Sequence, residues 1–181
     1  MDLIIFKNKN IIIRVDFNVP LKDSTITSSF RIDQSLDTIK FCLKNNANVV
    51  LMSHLGRPTD INESLSLYPV YQYLNNIFPN KVFFSKDCVS DESIKKSNLL
   101  YGGQIHLLEN LRYYSGELNN SSSFAEKLSK HAKIYVNDAF GTSHRKHASN
   151  SSILPLFKRK AIGFLMEKEL LGQQTLLIGL I

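Results

Sequence analysis

Short apolar, β-branched runs recur along the chain, and stretches of helical periodicity separate them. The runs lie at 11–15, 49–52, 82–84, 105–108 and 134–136, with a sixth candidate at 161–164. Most are continuously apolar rather than alternating, the pattern of strands covered on both faces. Between them, Ile32, Leu36, Ile39 and Leu43 are spaced four, three and four, which predicts a helix with Asp33 as its cap. Pro69 fits the first turn of a second helix carrying Val70, Leu74, Ile77 and Phe78. Phe124, Leu128 and Ala132 mark a third, and a fourth is predicted from about Leu165 to Gly172. Alternating strand and helix predict an α/β fold: a parallel sheet of about six strands, helices on both faces and right-handed crossovers. Such folds bind ligands beyond the carboxyl ends of their strands.

The residues at those ends are polar. The first run leads into Asp16-Phe17-Asn18, the second into Ser53-His54-Leu55-Gly56-Arg57-Pro58, a later one into Glu109-Asn110-Leu111-Arg112, and another into the stretch 137–147, which holds His144, Arg145 and His147. Charge sharpens this picture. The chain is basic at +6, and its 22 basic residues divide into 16 Lys and only 6 Arg. Four of those six, Arg31, Arg57, Arg112 and Arg145, fall in predicted loops beside other polar residues. A guanidinium offers carboxylate or phosphate a planar two-pronged donor that lysine cannot copy. Arg14 stands apart, inside an apolar run. If the strands are parallel, these loops converge on one edge and form a site for a small polyanion.

Composition excludes other classes. With 43% hydrophobic and 21% charged residues, disorder is not the default. Cys42 and Cys88 lack zinc or redox spacing and read as reduced thiols of a cytosolic protein. The N-terminus has no secretory h-region, and no apolar run approaches the ~20 residues of a membrane span. No phosphate-cradling GxxxxGK[ST] loop occurs.

In order along the chain, RVDFNVP at 14–20, SHLGRP at 53–58, ENLRY at 109–113, VNDAFGTSHRKHAS at 136–149 and GFLMEKEL at 163–170 resemble the motifs of phosphoglycerate kinases. The resemblance implies a three-layer Rossmann-like domain over 1–172 that binds the phosphoglycerate side, with 173–181 as the start of a hinge and second domain. It implies a reaction moving a phosphoryl group between 1,3-bisphosphoglycerate and ADP, giving 3-phosphoglycerate and ATP in glycolysis. By the match, Asp16, Phe17, Asn18, His54, Leu55, Gly56, Arg57, Arg112 and Arg145 would bind substrate. Arg31 would sit nearest the transferring group as the catalytic residue, and His144 and His147 match the basic patch more loosely. The nucleotide loop and the carboxylate for Mg-ADP or Mg-ATP find no match here, so the chain is expected to bind phosphoglycerate and not to turn over alone. Full-length members are usually monomeric and cytoplasmic, with no membrane or nucleic-acid partner.

Without the motifs, plainer readings stand beside these. Asp16 could only shape a turn, the 53–58 loop could be an ordinary connection, and Arg112 could be a surface ion-pair partner. His144 and His147 have no third ligand spaced for a metal. Glu109 and Glu117 read as solvated or structural, Lys158-Arg159-Lys160 as a solvated face, and Tyr113-Tyr114 as packing. A non-catalytic domain binding a small phosphorylated acid is the alternative function. Nucleic-acid binding is disfavoured because Arg and His gather at strand ends rather than along one helix.

Overall fold

The computed structural model describes residues 6–178, with side chains described through residue 172. The expected start of a second domain at 173–181 therefore falls partly on 179–181, outside the described residues.

The five continuous apolar runs form strands; the sixth candidate, at 161–164, is displaced to Arg159–Ile162, with Phe164 already helical, and all six strands are parallel. They are β1 (Asn10–Val15), β4 (Asn48–Met52), β5 (Val82–Ser85), β6 (Ile105–Leu108), β7 (Ile134–Asp138) and β8 (Arg159–Ile162), in the spatial order β5-β6-β4-β1-β7-β8. A small hairpin of β2 (Leu21–Lys22) and β3 (Thr25–Ile26) follows the first strand. Six α-helices lie among the described residues: α1 (Phe30–Lys44), α2 (Tyr68–Ile77), α3 (Asp91–Asn98), α4 (Ser115–Leu118), α5 (Ser122–Ser129) and α6 (Phe164–Ile178). None of the described helices is long and apolar enough to cross a membrane.

Side-chain alternation along β1 divides the core in two. Ile11, Ile13 and Val15 join one apolar cluster with Ile32 and Ile39 of α1 and Val70 and Leu74 of α2. Ile12 joins the other, with Val50, Met52, Leu108, Phe124 and Leu128. Both faces of the central strands are thus covered, as their sequences require, and the molecule has three layers.

Further details differ from expectation. Asp33 lies inside the first turn of α1, and Ser29 precedes the helix with its hydroxyl donating to the Asp33 carboxylate at 2.7 Å. For the same reason Arg31 is a first-turn helix residue rather than a loop residue. Ala132 is buried but lies beyond the end of α5.

The second face also holds a buried polar chain. The His131 Nε2 lies 2.8 Å from the Cys88 carbonyl oxygen, which can only accept, so this nitrogen carries a proton. Burial pushes the His131 pKa down to about 4 and the His106 pKa to about 3, so both rings are neutral. The His131 Nδ1 then accepts from the Ser97 hydroxyl at 2.6 Å, and Ser97 Oγ accepts from His106 Nδ1 at 2.7 Å. The chain ends where Ser85 donates to His106 Nε2 at 2.8 Å. Every ring nitrogen has a partner.

Candidate functional site

Sheet order fixes where a ligand fits. The chain leaves β1 toward β4 and leaves β7 toward β8, on the opposite side. The crevice above these two neighbouring strands is a topological switch point, where parallel sheets bind ligands. The loops around it are cross-braced. Ser53 Oγ accepts from the Phe17 backbone N–H and donates to the Val15 carbonyl, both at 2.9 Å. Asn110 accepts from the backbone N–H groups of Leu55 (3.1 Å) and Arg112 (3.0 Å) and donates to the carbonyls of Leu55 (2.7 Å) and Leu65 (2.9 Å). One amide side chain thereby pins the loops after β4 and β6 together.

Gly56 shows why glycine stands in the 53–58 loop. Its φ is +62°, and a Cβ there would lie 2.7 Å from the Leu65 side chain. Its N–H donates to Asn18 Oδ1 at 2.8 Å, and its carbonyl accepts from Arg112. Asn18, Gly56 and Arg112, proposed from three separate motifs, are therefore in direct contact. So are Asp16 and Arg31, which form an ion pair with half of the Arg31 side chain exposed. A cavity of about 270 Å³ lies beside this pair, lined also by Phe140, Gly141 and Leu165.

Positive charge accumulates deeper in. His54 is buried, and its pKa is pushed down to about 2, first by burial and then by Arg14, Arg112, Arg145 and His147. Arg112 is also pulled below the usual guanidinium value, by burial and then by Arg145, Arg14 and Arg57. The Nε atoms of Arg112 and Arg145 are buried and have no hydrogen-bond partner. Orphaned buried donors are rare and need an explanation. Surrounded by like charge, these two have the chemistry of a receptor for carboxylate or phosphate.

The remaining expected residues are distributed as follows. Arg57 is exposed at the rim. His147 is half-buried, with Nδ1 3.8 Å from the Glu117 carboxylate, whereas His144 is exposed. The side chains of Phe17 and Leu55 lie in the core, and their backbone N–H groups are bonded to Ser53 and Asn110. Glu109 is buried, not solvated, and accepts from the backbone N–H of Leu67 at 2.8 Å beside the start of α2. Glu117 is fully buried beneath the arginines. Arg14, only 1% exposed, was not assigned to the site from sequence. A signal was available, because a charge inside a fully buried strand must meet polar partners.

Residues 1–177 match the phosphoglycerate kinase family. The chain belongs to that family. A phosphoglycerate kinase of Finegoldia magna is 47% identical over 167 residues, covering 91% of this chain and 42% of the relative. One from Prochlorococcus marinus (strain MIT 9515) is 43% identical over 166 residues, covering 91% of this chain and 41% of the relative. Two solved phosphoglycerate kinases superpose well. The Coxiella burnetii structure gives a TM-score of 0.81 at 34% identity, and the Pyrococcus horikoshii OT3 structure gives 0.82 at 32%. Each alignment covers 91% of this chain, and 41% and 42% respectively of the solved chains. The chain thus spans about two-fifths of the length of the phosphoglycerate kinases it matches.

Proposed function

We propose that residues 1–172 are the phosphoglycerate-binding half of a cytoplasmic, glycolytic phosphoglycerate kinase. The observation that carries this reading is the cluster of Arg14, Arg57, Arg112 and Arg145, in which two buried guanidinium nitrogens lack an acceptor. The phosphate and carboxylate of 3-phosphoglycerate, or of 1,3-bisphosphoglycerate, supply the missing acceptors. Asn18 turns its oxygen to Gly56, which leaves its amide free to donate to the glycerate, and Asp16 accepts from the glycerate hydroxyl. Arg31, tethered only through the Asp16 carboxylate, swings toward the transferring phosphoryl group and stabilises charge on its equatorial oxygens. His147 lines the patch, and exposed His144 contributes only long-range charge.

Among the described residues no group of three or more His, Cys, Asp or Glu could hold a metal ion. Binding of Mg-ADP or Mg-ATP is assigned to none of the residues of this site. The reading is that this chain binds phosphoglycerate and does not complete the transfer alone.

The test is a calorimetric titration of the chain with 3-phosphoglycerate at low and moderate salt, alongside Arg57→Ala. Saturable binding weakened in the variant is the expected result. A folded chain that takes up no 3-phosphoglycerate overturns the assignment, and turnover near that of a complete kinase overturns the inactivity.

A further inference from the structure

Directly beneath the crevice, four buried side chains form a relay that the anion site does not by itself explain. Glu117 Oε2 accepts from the Ser149 backbone N–H at 2.9 Å, and its Oε1 accepts from the Ser149 hydroxyl at 2.6 Å. With its proton committed to Glu117, Ser149 Oγ can only accept on its other side, and it does so from Arg14 Nε at 3.0 Å. The guanidinium is held further by the Val15 carbonyl and reaches His54 Nδ1 at 3.2 Å. Glu117 and Ser149 are fully buried, and Arg14 and His54 nearly so.

A guanidinium has five donors and no acceptor. His54 Nδ1, facing it, must therefore be the unprotonated nitrogen of the ring. A neutral imidazole with Nδ1 unprotonated carries its hydrogen on Nε2, and this nitrogen makes no hydrogen bond to any described residue. We infer that Glu117 is a positioning residue for His54: through Ser149 and Arg14 it locks the imidazole as the Nε2–H tautomer. The ring then offers the anion a donor without adding a charge. This matters because the groups around the ring, Arg14, Arg112, Arg145 and His147, are already cationic or can become so. A charged imidazole would add to their repulsion, and the other neutral tautomer would point a lone pair at the anion.

Glu117 suits this task because it supplies two acceptors and a full negative charge in a dry place. A buried guanidinium left without a compensating anion is unstable in its position. Relaying the charge through Ser149 leaves the remaining guanidinium nitrogens free for Val15 and His54 instead of engaging them in a two-pronged pair with the carboxylate.

This inference deepens the anion-site reading and rests on it for its significance, but its test does not require the ligand. The experiment is ¹⁵N NMR of the ring nitrogens in the uniformly labelled chain near pH 7, with His54 assigned by its loss in His54→Asn. In the native chain, Nδ1 of His54 is expected as the unprotonated resonance and Nε2 as the protonated one. In Glu117→Gln one of the two acceptors becomes a donor facing a donor, and in Ser149→Ala the link itself is gone. Both variants are expected to draw the two His54 resonances together as the other tautomer becomes populated, while His106 and His131 keep their native signals as evidence of an intact fold. A native His54 with its proton on Nδ1 or on both nitrogens overturns the inference, as does an unchanged native pattern in both variants. If Glu117→Gln does not fold, the native tautomer and Ser149→Ala decide. Failure to bind 3-phosphoglycerate would count against the functional reading alone, because the relay is read without ligand.

Discussion

Two histidine networks are buried on the same face of the sheet, and they differ in whether the protein completes them. Around His106 and His131, four hydrogen bonds run from Ser85 to the Cys88 carbonyl and leave no ring nitrogen over. Around His54 the corresponding groups are braced only from below, and the Nε atoms of Arg112 and Arg145 remain without acceptors. Both networks use neutral rings in a low-dielectric interior. The closed one sits in mid-layer and stabilises the fold. The open one sits at the carboxyl edge of the strands, where an anion can complete it. On the proposed function, whether a buried polar network is closed separates a structural from a ligand-facing histidine better than burial does.

Acid attacks both networks together and is expected to have the largest effect. His54, His106 and His131 have folded values pushed down to about 2, 3 and 4, below the ordinary 6.5. Between those limits the unfolded chain binds more protons than the folded one. The stabilisation is thus complete above pH 6.5 and is lost as the pH falls toward the folded values. Each ring contributes about 1.4 kcal/mol per pH unit in that window, so three contribute about 4 kcal/mol per pH unit where their windows overlap. Urea midpoints should be level above about pH 7 and drop steeply from about pH 6 to 5; a flat profile would mean that the rings are not held neutral.

Opening the closed network comes next. His106→Ala strands the Ser85 hydroxyl, removes one of the two bonds of Ser97 and leaves a cavity, at a cost of about 3 kcal/mol in urea unfolding. The residual folded fraction should bind 3-phosphoglycerate as before. Arg112→Ala reverses the pattern. Its expected effect is a loss of about 30-fold in 3-phosphoglycerate affinity, or about 2 kcal/mol, with a urea midpoint equal to or above the native one because like-charge repulsion is relieved. Equal losses of stability and affinity in both variants would erase the distinction. The smallest effect belongs to Ser85→Ala, at the end of the closed chain, where only the His106 Nε2 acceptor is left unpaired and about 1 kcal/mol is lost.

Much of this was legible in the sequence, for physical reasons. Strands covered on both faces must be apolar throughout, so the runs at 11–15 and 49–52 revealed the sheet, and the polar residues following them revealed its ligand edge. The hairpin Leu21–Ile26 was missed. Its turn residues, Asp23 and Ser24, adopt φ of +48° and +58° without the glycine or asparagine that usually signals such a turn. Helix α3 was missed because its buried positions are Ser93 and Ser97 rather than apolar residues. Its ends did carry a signal: Ser90 caps it by accepting from Ser93 N, acids open it, and lysines occupy its last turn. Glu117, Ser149 and Arg14 were not readable as a unit, because no local periodicity reports a bond between residues 135 apart in sequence.

β1, in the middle of the sheet, is also the first of the described strands. Ile11 pairs with Ile134, and Arg14 meets Ser149. Closing loops of this length costs entropy before any contact repays it, which makes such pairings late and slow events. During synthesis one flank of β1 therefore stays open until β7 has been made, and in that interval an apolar edge is available to other chains. The proposed anion site can form only once Ser149, part of its floor, has been made. An interaction absent from the folding transition state acts on unfolding alone. Bound 3-phosphoglycerate would then lengthen the lifetime of the folded chain without hastening its birth.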